Sequence, residues 1–290
     1  MLLRYHTTDV DLKKGVEFSK LSMIQTIMEN RNSHIFREQD LRGLTWQVLS
    51  VYRNNFSQFS ILTLAGMLPV FLISYFVANS LIGILVVAFI ELLVITAIAG
   101  AFIYSVPYYY VNGRVDLQIS LRASRAVYFK LLSVTLGLQI ILGLLLTFSV
   151  IFPLLLVPFV VALLYMVYFV VTQPVVLIER QKPMDAFKRS LSLVRGNWGR
   201  VFGSTSILVL TVFGIGVLAW LPFFLISLVI PDGIMFLGSE LRGLIQEISV
   251  WPASMLTIPP IYIFLTVLYY DLRYRKEDFN FKQLSDEISC

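Results

Sequence analysis

Cysteine, histidine and charged residues are all scarce in this chain. The single cysteine is Cys290, so an intrachain disulfide and a cysteine-based metal cluster are excluded. The two histidines, His6 and His34, both lie in the polar N-terminal region, and we predict no metal site and no cofactor. Charged residues make up 14% of the chain and hydrophobic residues 57%, which is more apolar than a soluble core needs.

Motifs for catalysis are also missing. The sequence contains no glycine-rich phosphate-binding loop, no serine–histidine–aspartate arrangement and no metal-ligand set of known spacing. We therefore predict no catalytic residue and a protein that is not an enzyme. Residues 1–30 carry several charges and no uninterrupted apolar run, so we do not expect a cleaved signal peptide there.

Long apolar runs, by contrast, are abundant. A helix needs about 20 apolar residues to cross the roughly 30 Å hydrocarbon layer of a membrane. The stretches that meet this length are residues 57–78, 81–104, 131–151, 154–178, 201–221 and 250–270. They predict an all-α integral membrane protein with six transmembrane helices.

Basic residues are concentrated in alternate loops. All but one of the 23 lysines and arginines fall in residues 1–59, 111–130, 179–200 and 271–290, and the exception is Arg242. Because such residues stay on the cytoplasmic side, we predict a bacterial-type cytoplasmic (inner) membrane protein with both termini inside. The net charge of +5 then reflects these loops and their attraction to anionic lipid headgroups, and we do not expect nucleic acid as a partner.

The chain divides into three regions. Residues 1–40 form a polar arm in which apolar residues at helical spacing predict a short amphipathic helix. Residues 41–282 form the membrane domain, and residues 283–290 form a cytoplasmic tail.

The membrane domain is predicted to contain three repeats, each a short amphipathic elbow helix followed by a hairpin of two spans. The elbow helices are expected at residues 40–56, 116–130 and 183–200. Residues 51–56 and 193–198 share one pattern, an apolar pair, arginine, a small or polar residue, asparagine and an aromatic residue. Because each unit begins on the cytoplasmic side, we expect parallel repeats.

Residues 222–249 form an irregular outer region. Pro222 is expected to end or kink the fifth span. Residues 238–249 have helical apolar spacing and carry Glu240, Arg242 and Glu247. Two interpretations remain open, an outer surface for a partner or a helix that lies on the outer leaflet.

Three sequence elements have counterparts in one known family. Residues 52–56 read YRNNF, residues 186–198 read AFKRSLSLVRGNW, and residues 268–277 read LYYDLRYRKE. They resemble the YRxNF, A-x-x-R-S-x-x-L-x-x-G-N-W and LYYDLRxRxE elements of the glycerophosphoryl diester phosphodiesterase membrane domain. The resemblance covers roughly residues 40–282 and implies a membrane module.

The resemblance does not imply phosphodiesterase activity. In the enzymes that carry this domain, a separate soluble barrel supplies a catalytic His-Arg pair and a metal-binding Glu/Asp set. Neither His6 nor His34 is followed by arginine here, and no acidic cluster follows them.

Glu91 is the only Asp, Glu, Lys or Arg within the six predicted spans. A charged carboxylate at that depth costs about 2.5 kcal/mol or more, and such groups usually face the bundle interior or water. Gln139 in the third span and Thr96 are candidate hydrogen-bond partners. Glu91 is either a proton or substrate site in a carrier, or a neutral carboxyl group that links two helices.

A second polar group is predicted on the cytoplasmic face. Asp271 follows the last span and is expected to pair with an elbow arginine such as Arg53 or Arg195. The alternative is a lipid-phosphate site formed by arginines of the elbows and of the last span. The candidate residues for this inner-face group are Arg53, Asn55, Arg195, Asn197, Asp271, Arg273 and Arg275.

Prolines are expected to interrupt two spans. Pro158 lies in the fourth span, and Pro252, Pro259 and Pro260 lie in the sixth. Broken helices line cavities in transporters, and proline also produces simple packing kinks.

These features favour a non-catalytic structural or assembly subunit. It would bind other membrane proteins, or a second copy of itself, through its elbows, its arm and residues 222–249. The alternative is a small transporter or lipid-handling protein that uses Glu91 and the proline-containing spans.

Overall fold

The computed structural model describes residues 40–77, 80–151, 156–231, 234–236 and 239–289. The arm, residues 1–39, with its predicted amphipathic helix and both histidines, lies outside the described residues.

The prediction of six spanning helices is confirmed. Six segments are long and apolar enough to cross a membrane, as a multi-pass membrane protein requires: Phe56–Val77, Leu81–Asn112, Leu117–Ile151, Leu156–Ile178, Trp198–Val229 and Ile248–Glu277.

We number the elements in chain order. The helices are α1 (Leu41–Asn54), α2 (Phe56–Val77), α3 (Leu81–Asn112), α4 (Leu117–Ile151), α5 (Leu156–Phe169), α6 (Thr172–Ile178), α7 (Pro183–Val194), α8 (Trp198–Val229), α9 (Leu241–Glu277) and α10 (Phe281–Ser289). Two short antiparallel strands, β1 (Met235–Phe236) and β2 (Ser239–Glu240), connect α8 to α9.

Helix α1 is amphipathic, as predicted. Its buried residues Leu44, Val48, Val51 and Tyr52 recur at helical spacing on one face. This face packs against α9 and α8. Asn55 separates α1 from α2, and its side-chain N–H donates to the carbonyl oxygen of Val51 at 3.0 Å.

Helix α7 is the second separate amphipathic helix. Pro183 occupies its first turn, where a missing backbone N–H costs nothing, and Asp185 there is favoured by the helix dipole. Buried Ala186 and Leu193 lie on its inner face. Gly196 has a φ of 94°, a left-handed conformation that glycine adopts without strain, and the chain turns there into α8.

The predicted middle elbow, residues 116–130, does not form a separate helix. It is continuous with the third span in the 35-residue helix α4. Asp116 caps the start of α4, because its carboxylate accepts hydrogen bonds from the backbone N–H groups of Gln118 and Ile119 at 3.0 Å. Residues 117–131 contain no glycine or proline to produce a bend.

The fourth span is broken, but not at the predicted position. Pro158 lies inside α5, and the break falls at residues 170–171. Pro174 lacks the N–H that would bond to the carbonyl of residue 170, which explains the interruption. Next to the interruption, Ser190 of α7 donates to the carbonyl oxygen of Tyr168 at 2.9 Å, and Thr172 donates to that of Phe169 at 2.8 Å.

The fifth and sixth spans continue through their prolines. Helix α8 contains Pro222 and runs to Val229, and α9 contains all three of its prolines. Pro259 has no N–H for the carbonyl oxygen of Met255, and the Tyr52 hydroxyl donates to that oxygen at 2.9 Å. A neighbouring helix thus satisfies the backbone group that the proline frees.

The buried core lies toward the end of the bundle that holds α1, α7 and α10. Five of the side chains that form one cluster there are Phe102, Leu131, Leu193, Leu268 and Leu284. At the opposite end most large apolar side chains are exposed, including Phe76, Leu81, Val150 and Val229. Exposed apolar surface of this kind is what a lipid-facing helix presents.

Candidate functional site

Glu91 borders a side cavity of about 480 Å³ between α2, α3 and α9. Its side chain is exposed, and it has no hydrogen-bond or ion-pair partner within the part of the chain that the structure describes. The cavity is also lined by Phe71 of α2 and by Trp251 and Ser254 of α9. We call this space the Glu91 cavity.

The wall of the Glu91 cavity is mostly apolar. Phe71 and Trp251 meet edge to face, with ring centroids 4.8 Å apart. The Trp251 indole N–H is buried and, among the described residues, has no acceptor. The Ser254 hydroxyl donates to the Val250 carbonyl oxygen at 2.7 Å, which leaves its oxygen able to accept. A carboxylate and an aromatic donor therefore share an otherwise apolar space.

The structure does not bring the predicted partners to Glu91. The Thr96 hydroxyl is buried and donates to the Leu92 carbonyl oxygen of its own helix at 2.7 Å. Gln139 is exposed on α4 and is not part of the cavity. Glu91 and Gln139 are apart because Glu91 is on the side of α3 that faces α2 and α9. Helix α4 packs on another side of α3, where the Tyr128 hydroxyl donates to the Leu93 carbonyl oxygen at 2.9 Å.

The second group of polar residues lies where α6, α7, α8, α9 and α10 meet, and we call it the helix-end network. Its members are Glu179, Arg189, Arg200, Tyr269, Asp271, Arg273, Arg275, Glu277 and Glu287.

Asp271 is the most buried charge of the helix-end network, with a side chain only 5% exposed. It pairs with Arg200 at 3.0 Å and with Arg275 at 3.2 Å. An ion pair with an elbow arginine was predicted, but Arg53 and Arg195 are not the partners. Because α9 packs along α8, Asp271 meets Arg200 in the first turn of α8.

Glu179 anchors the end of α6. It pairs with Arg189 of α7 at 3.1 Å and accepts a hydrogen bond from the Tyr269 hydroxyl of α9 at 2.9 Å. Arg189 also pairs with Glu277 at 2.5 Å. The hydrogen bond to Glu277 is the largest influence on Arg189 and raises the pKa of its guanidinium. These contacts join the fourth span, the α7 elbow and the sixth span.

Arg273 joins the last span to α10. It contacts Glu277 at 3.4 Å and Glu287 of α10 at 2.8 Å, and its guanidinium lies 3.8 Å from the ring centroid of Phe279. With two carboxylates and an aromatic ring around it, Arg273 is poorly placed to bind a lipid phosphate.

The remaining inner-face candidates stand outside the helix-end network. The side chains of Arg53 and Arg195 are exposed, and Asn55 bonds to its own helix. Asn197 contributes its backbone N–H to the Val194 carbonyl oxygen at 2.9 Å. The backbone carbonyl of Arg195, together with that of Ser192, accepts hydrogen bonds from the ammonium group of Lys276.

Six members of the helix-end network were not selected from the sequence as site residues: Glu179, Arg189, Arg200, Tyr269, Glu277 and Glu287. The position of Glu179 could have indicated a site residue, because it is the first acidic residue after Asp116 and directly follows a span. The pair of Arg273 and Glu277 also had one, since residues four apart share a helix face.

The predicted outer partner surface consists of Glu240, Arg242 and Glu247. The side chains of Glu240, Arg242 and Glu247 lie outside the described residues. Their backbone belongs to β2 and to the first turns of α9, which is one helix from Leu241 to Glu277 and not a separate outer helix.

Among the described residues, no group of three or more His, Cys, Asp or Glu is arranged to hold a metal ion. No protein-family model, curated protein or solved structure matches the chain.

Proposed function

We propose that this multi-pass membrane protein is a non-catalytic, lipid-handling protein of a bacterial-type cytoplasmic membrane. In this proposal Glu91 binds the ammonium-bearing head of a lipid-like amphiphile within the bilayer. The observation that carries it is the Glu91 cavity, in which one carboxylate opens into an apolar space between three spans.

The cost of an intramembrane carboxylate supports a cationic ligand head. A charged carboxylate within a span costs about 2.5 kcal/mol or more unless a partner offsets it. Among the described residues Glu91 has no such partner. An ammonium group would supply one, and Trp251 in the same wall belongs to the residue type that forms the strongest cation–π contacts.

The size and lining of the cavity support an amphiphile over a small polar solute. Small-molecule sites typically enclose about 300–1,000 Å³, and the Glu91 cavity of about 480 Å³ falls within that range. Apolar residues such as Val70, Ile95 and Ile258 line most of it and would contact an alkyl chain.

The test is amphiphile binding to the purified protein in a non-ionic detergent. Dodecylammonium should bind the native chain more tightly than dodecyl sulfate or dodecanol, and E91Q should weaken dodecylammonium binding about tenfold or more. The matched control is Q139L, which changes a polar span residue outside the cavity and should leave binding intact. Equal affinity of E91Q and the native protein would overturn the proposal.

A second candidate function is the structural or assembly subunit. It is favoured by α8, because none of the residues in its most apolar stretch is buried. A second protein or another copy of this chain could cover that surface. Purification in mild detergent followed by mass spectrometry should then show a stoichiometric partner, whereas a clean monomer would count against this candidate.

The proposal also includes the orientation of the protein in the membrane, its internal repeats and its relation to a known family. We place both termini in the cytoplasm because the basic loops share one side of the predicted topology. The likeness of α1–α2 to α7–α8, each a short amphipathic helix before a span, supports a repeat. Kinship with the glycerophosphoryl diester phosphodiesterase membrane domain rests on the three sequence elements alone, and the binding role does not depend on it.

A further inference from the structure

A groove lies between α3 and the first part of α4, away from both the Glu91 cavity and the helix-end network. Its volume is about 510 Å³. Ala97 of α3 forms one side, and Arg122, Arg125, Tyr128 and Phe129 of α4 form the other.

Two arginines in this groove share one face of α4. Arg122 and Arg125 are three residues apart, so their side chains are neighbours on the helix surface. Both are exposed, and neither has a carboxylate within ion-pair distance among the described residues. This distinguishes them from Arg189, Arg200 and Arg273, each of which is held by carboxylates.

The depth of the groove matches the headgroup layer. About 20 residues of α3, counted from Leu81, reach Gly100 and span the hydrocarbon thickness. Gly100 lies directly against Ser124 of α4. Ser124 therefore marks the boundary between hydrocarbon and headgroups, and Arg122 and Arg125 stand on either side of it.

The same helix face becomes apolar toward the membrane interior. Phe129, one turn beyond Arg125, is 81% exposed, and Leu136 and Ile140 continue this face with exposed side chains. A paired positive charge at headgroup depth followed by an exposed apolar stripe has the polarity of one phospholipid molecule. Each guanidinium group can bind phosphate with two parallel N–H donors, and the neighbouring arginines place two such groups side by side.

We propose that this groove is a binding site for an anionic phospholipid, with the phosphate on Arg122 and Arg125 and an acyl chain along Phe129, Leu136 and Ile140. The charge complementarity commits the site to a lipid with net negative charge, such as phosphatidylglycerol. The site is separate from Glu91, because the two spaces border different faces of α3 and share no lining residue.

The test is native mass spectrometry of the full-length protein after equilibration with equal amounts of phosphatidylglycerol and phosphatidylcholine. The native chain should retain one phosphatidylglycerol molecule preferentially, and R122Q/R125Q should lower the retained fraction about tenfold. R122K/R125K, which keeps the charge but loses the planar donor pair, should fall between them.

The matched control is R42Q/R114Q, which removes two exposed arginines, one from α1 and one from the connection between α3 and α4. It should retain phosphatidylglycerol as the native chain does, and so should E91Q. Thermal unfolding of every variant in detergent should match the native protein, because all the substituted arginines are exposed.

Three outcomes overturn the proposal. Equal retention of phosphatidylcholine excludes an anionic-lipid site. Equal loss in R42Q/R114Q shows diffuse attraction to the basic surface. Displacement of the lipid by millimolar inorganic phosphate shows a site for a soluble anion. Loss in R122Q/R125Q with no effect of E91Q on phosphatidylglycerol separates this site from the proposed amphiphile function.

Discussion

The hydroxyl group of Tyr52 supplies a hydrogen bond to a backbone carbonyl that a proline leaves without its usual helix donor. Pro259 frees the carbonyl oxygen of Met255, and Tyr52 of α1 donates to it at 2.9 Å. An unsatisfied carbonyl in an apolar surrounding costs about 1–3 kcal/mol. The elbow helix α1 therefore stabilises the sixth span through a specific bond as well as through apolar packing.

Y52F should destabilise the protein by about 1–2 kcal/mol because the Met255 carbonyl loses its donor. The measurement is unfolding in a denaturing detergent, followed by circular dichroism. In a P259A background the restored backbone N–H should bond to Met255, so the same Y52F change should cost distinctly less. Equal costs in the two backgrounds would contradict the proposed role of Tyr52.

At the scale of elements, α10 is a short helix docked against the bundle. Its Leu284 is fully buried, and Phe279, just before it, packs against both Arg273 and Tyr270. The charged contact is Glu287 with Arg273 at 2.8 Å. A nine-residue helix has little stability alone, so its order depends on this docking.

E287Q should loosen α10 without disturbing the spans. Loss of this partly exposed ion pair is worth on the order of 1 kcal/mol, which corresponds to about a fivefold faster amide hydrogen exchange in α10. The measurement is hydrogen exchange by mass spectrometry over residues 281–289. D286N changes an exposed neighbouring carboxylate and should leave exchange unchanged. An unaltered rate in E287Q would mean that apolar packing alone holds α10.

The whole molecule is asymmetric along the bundle axis. The buried core and the helix-end network lie at the end that holds α1, α7 and α10. The Glu91 cavity and the largest exposed apolar surfaces lie in the other half. Contact with lipid would replace tertiary packing there, so the amphiphile proposed for the Glu91 cavity would enter from the side without opening the core.

The orientation of the whole protein in the membrane can be tested by thiol labelling. In a C290S background, S285C should react with a membrane-impermeant thiol reagent only after the cells are opened, because the proposed orientation places the basic loops and the C-terminus in the cytoplasm. S239C, between α8 and α9, should react in intact cells. The reverse pattern would contradict the orientation and with it the cytoplasmic placement of the helix-end network.

The sequence alone determined the number and approximate extent of the spans, since a run of about 20 apolar residues is a local property that lipid satisfies without tertiary contacts. It also predicted α1 and α7 as short amphipathic helices through apolar spacing, and the start of α7 through Pro183. The continuity of the middle elbow with the third span was not predicted, although the lack of glycine and proline in residues 117–131 indicates it.

Only the tertiary structure decided which groups meet. Asp271 pairs with Arg200 at a separation of 71 residues, and Tyr52 bonds to Met255 at a separation of 203. The side of α3 that Glu91 faces, and hence its cavity, follows from how α2 and α9 pack on that helix. Pro174 breaks a span whereas Pro259 does not. A pattern along the chain marks where a proline frees a carbonyl or where a charge stands, but the donor or counter-ion that satisfies it comes from another helix.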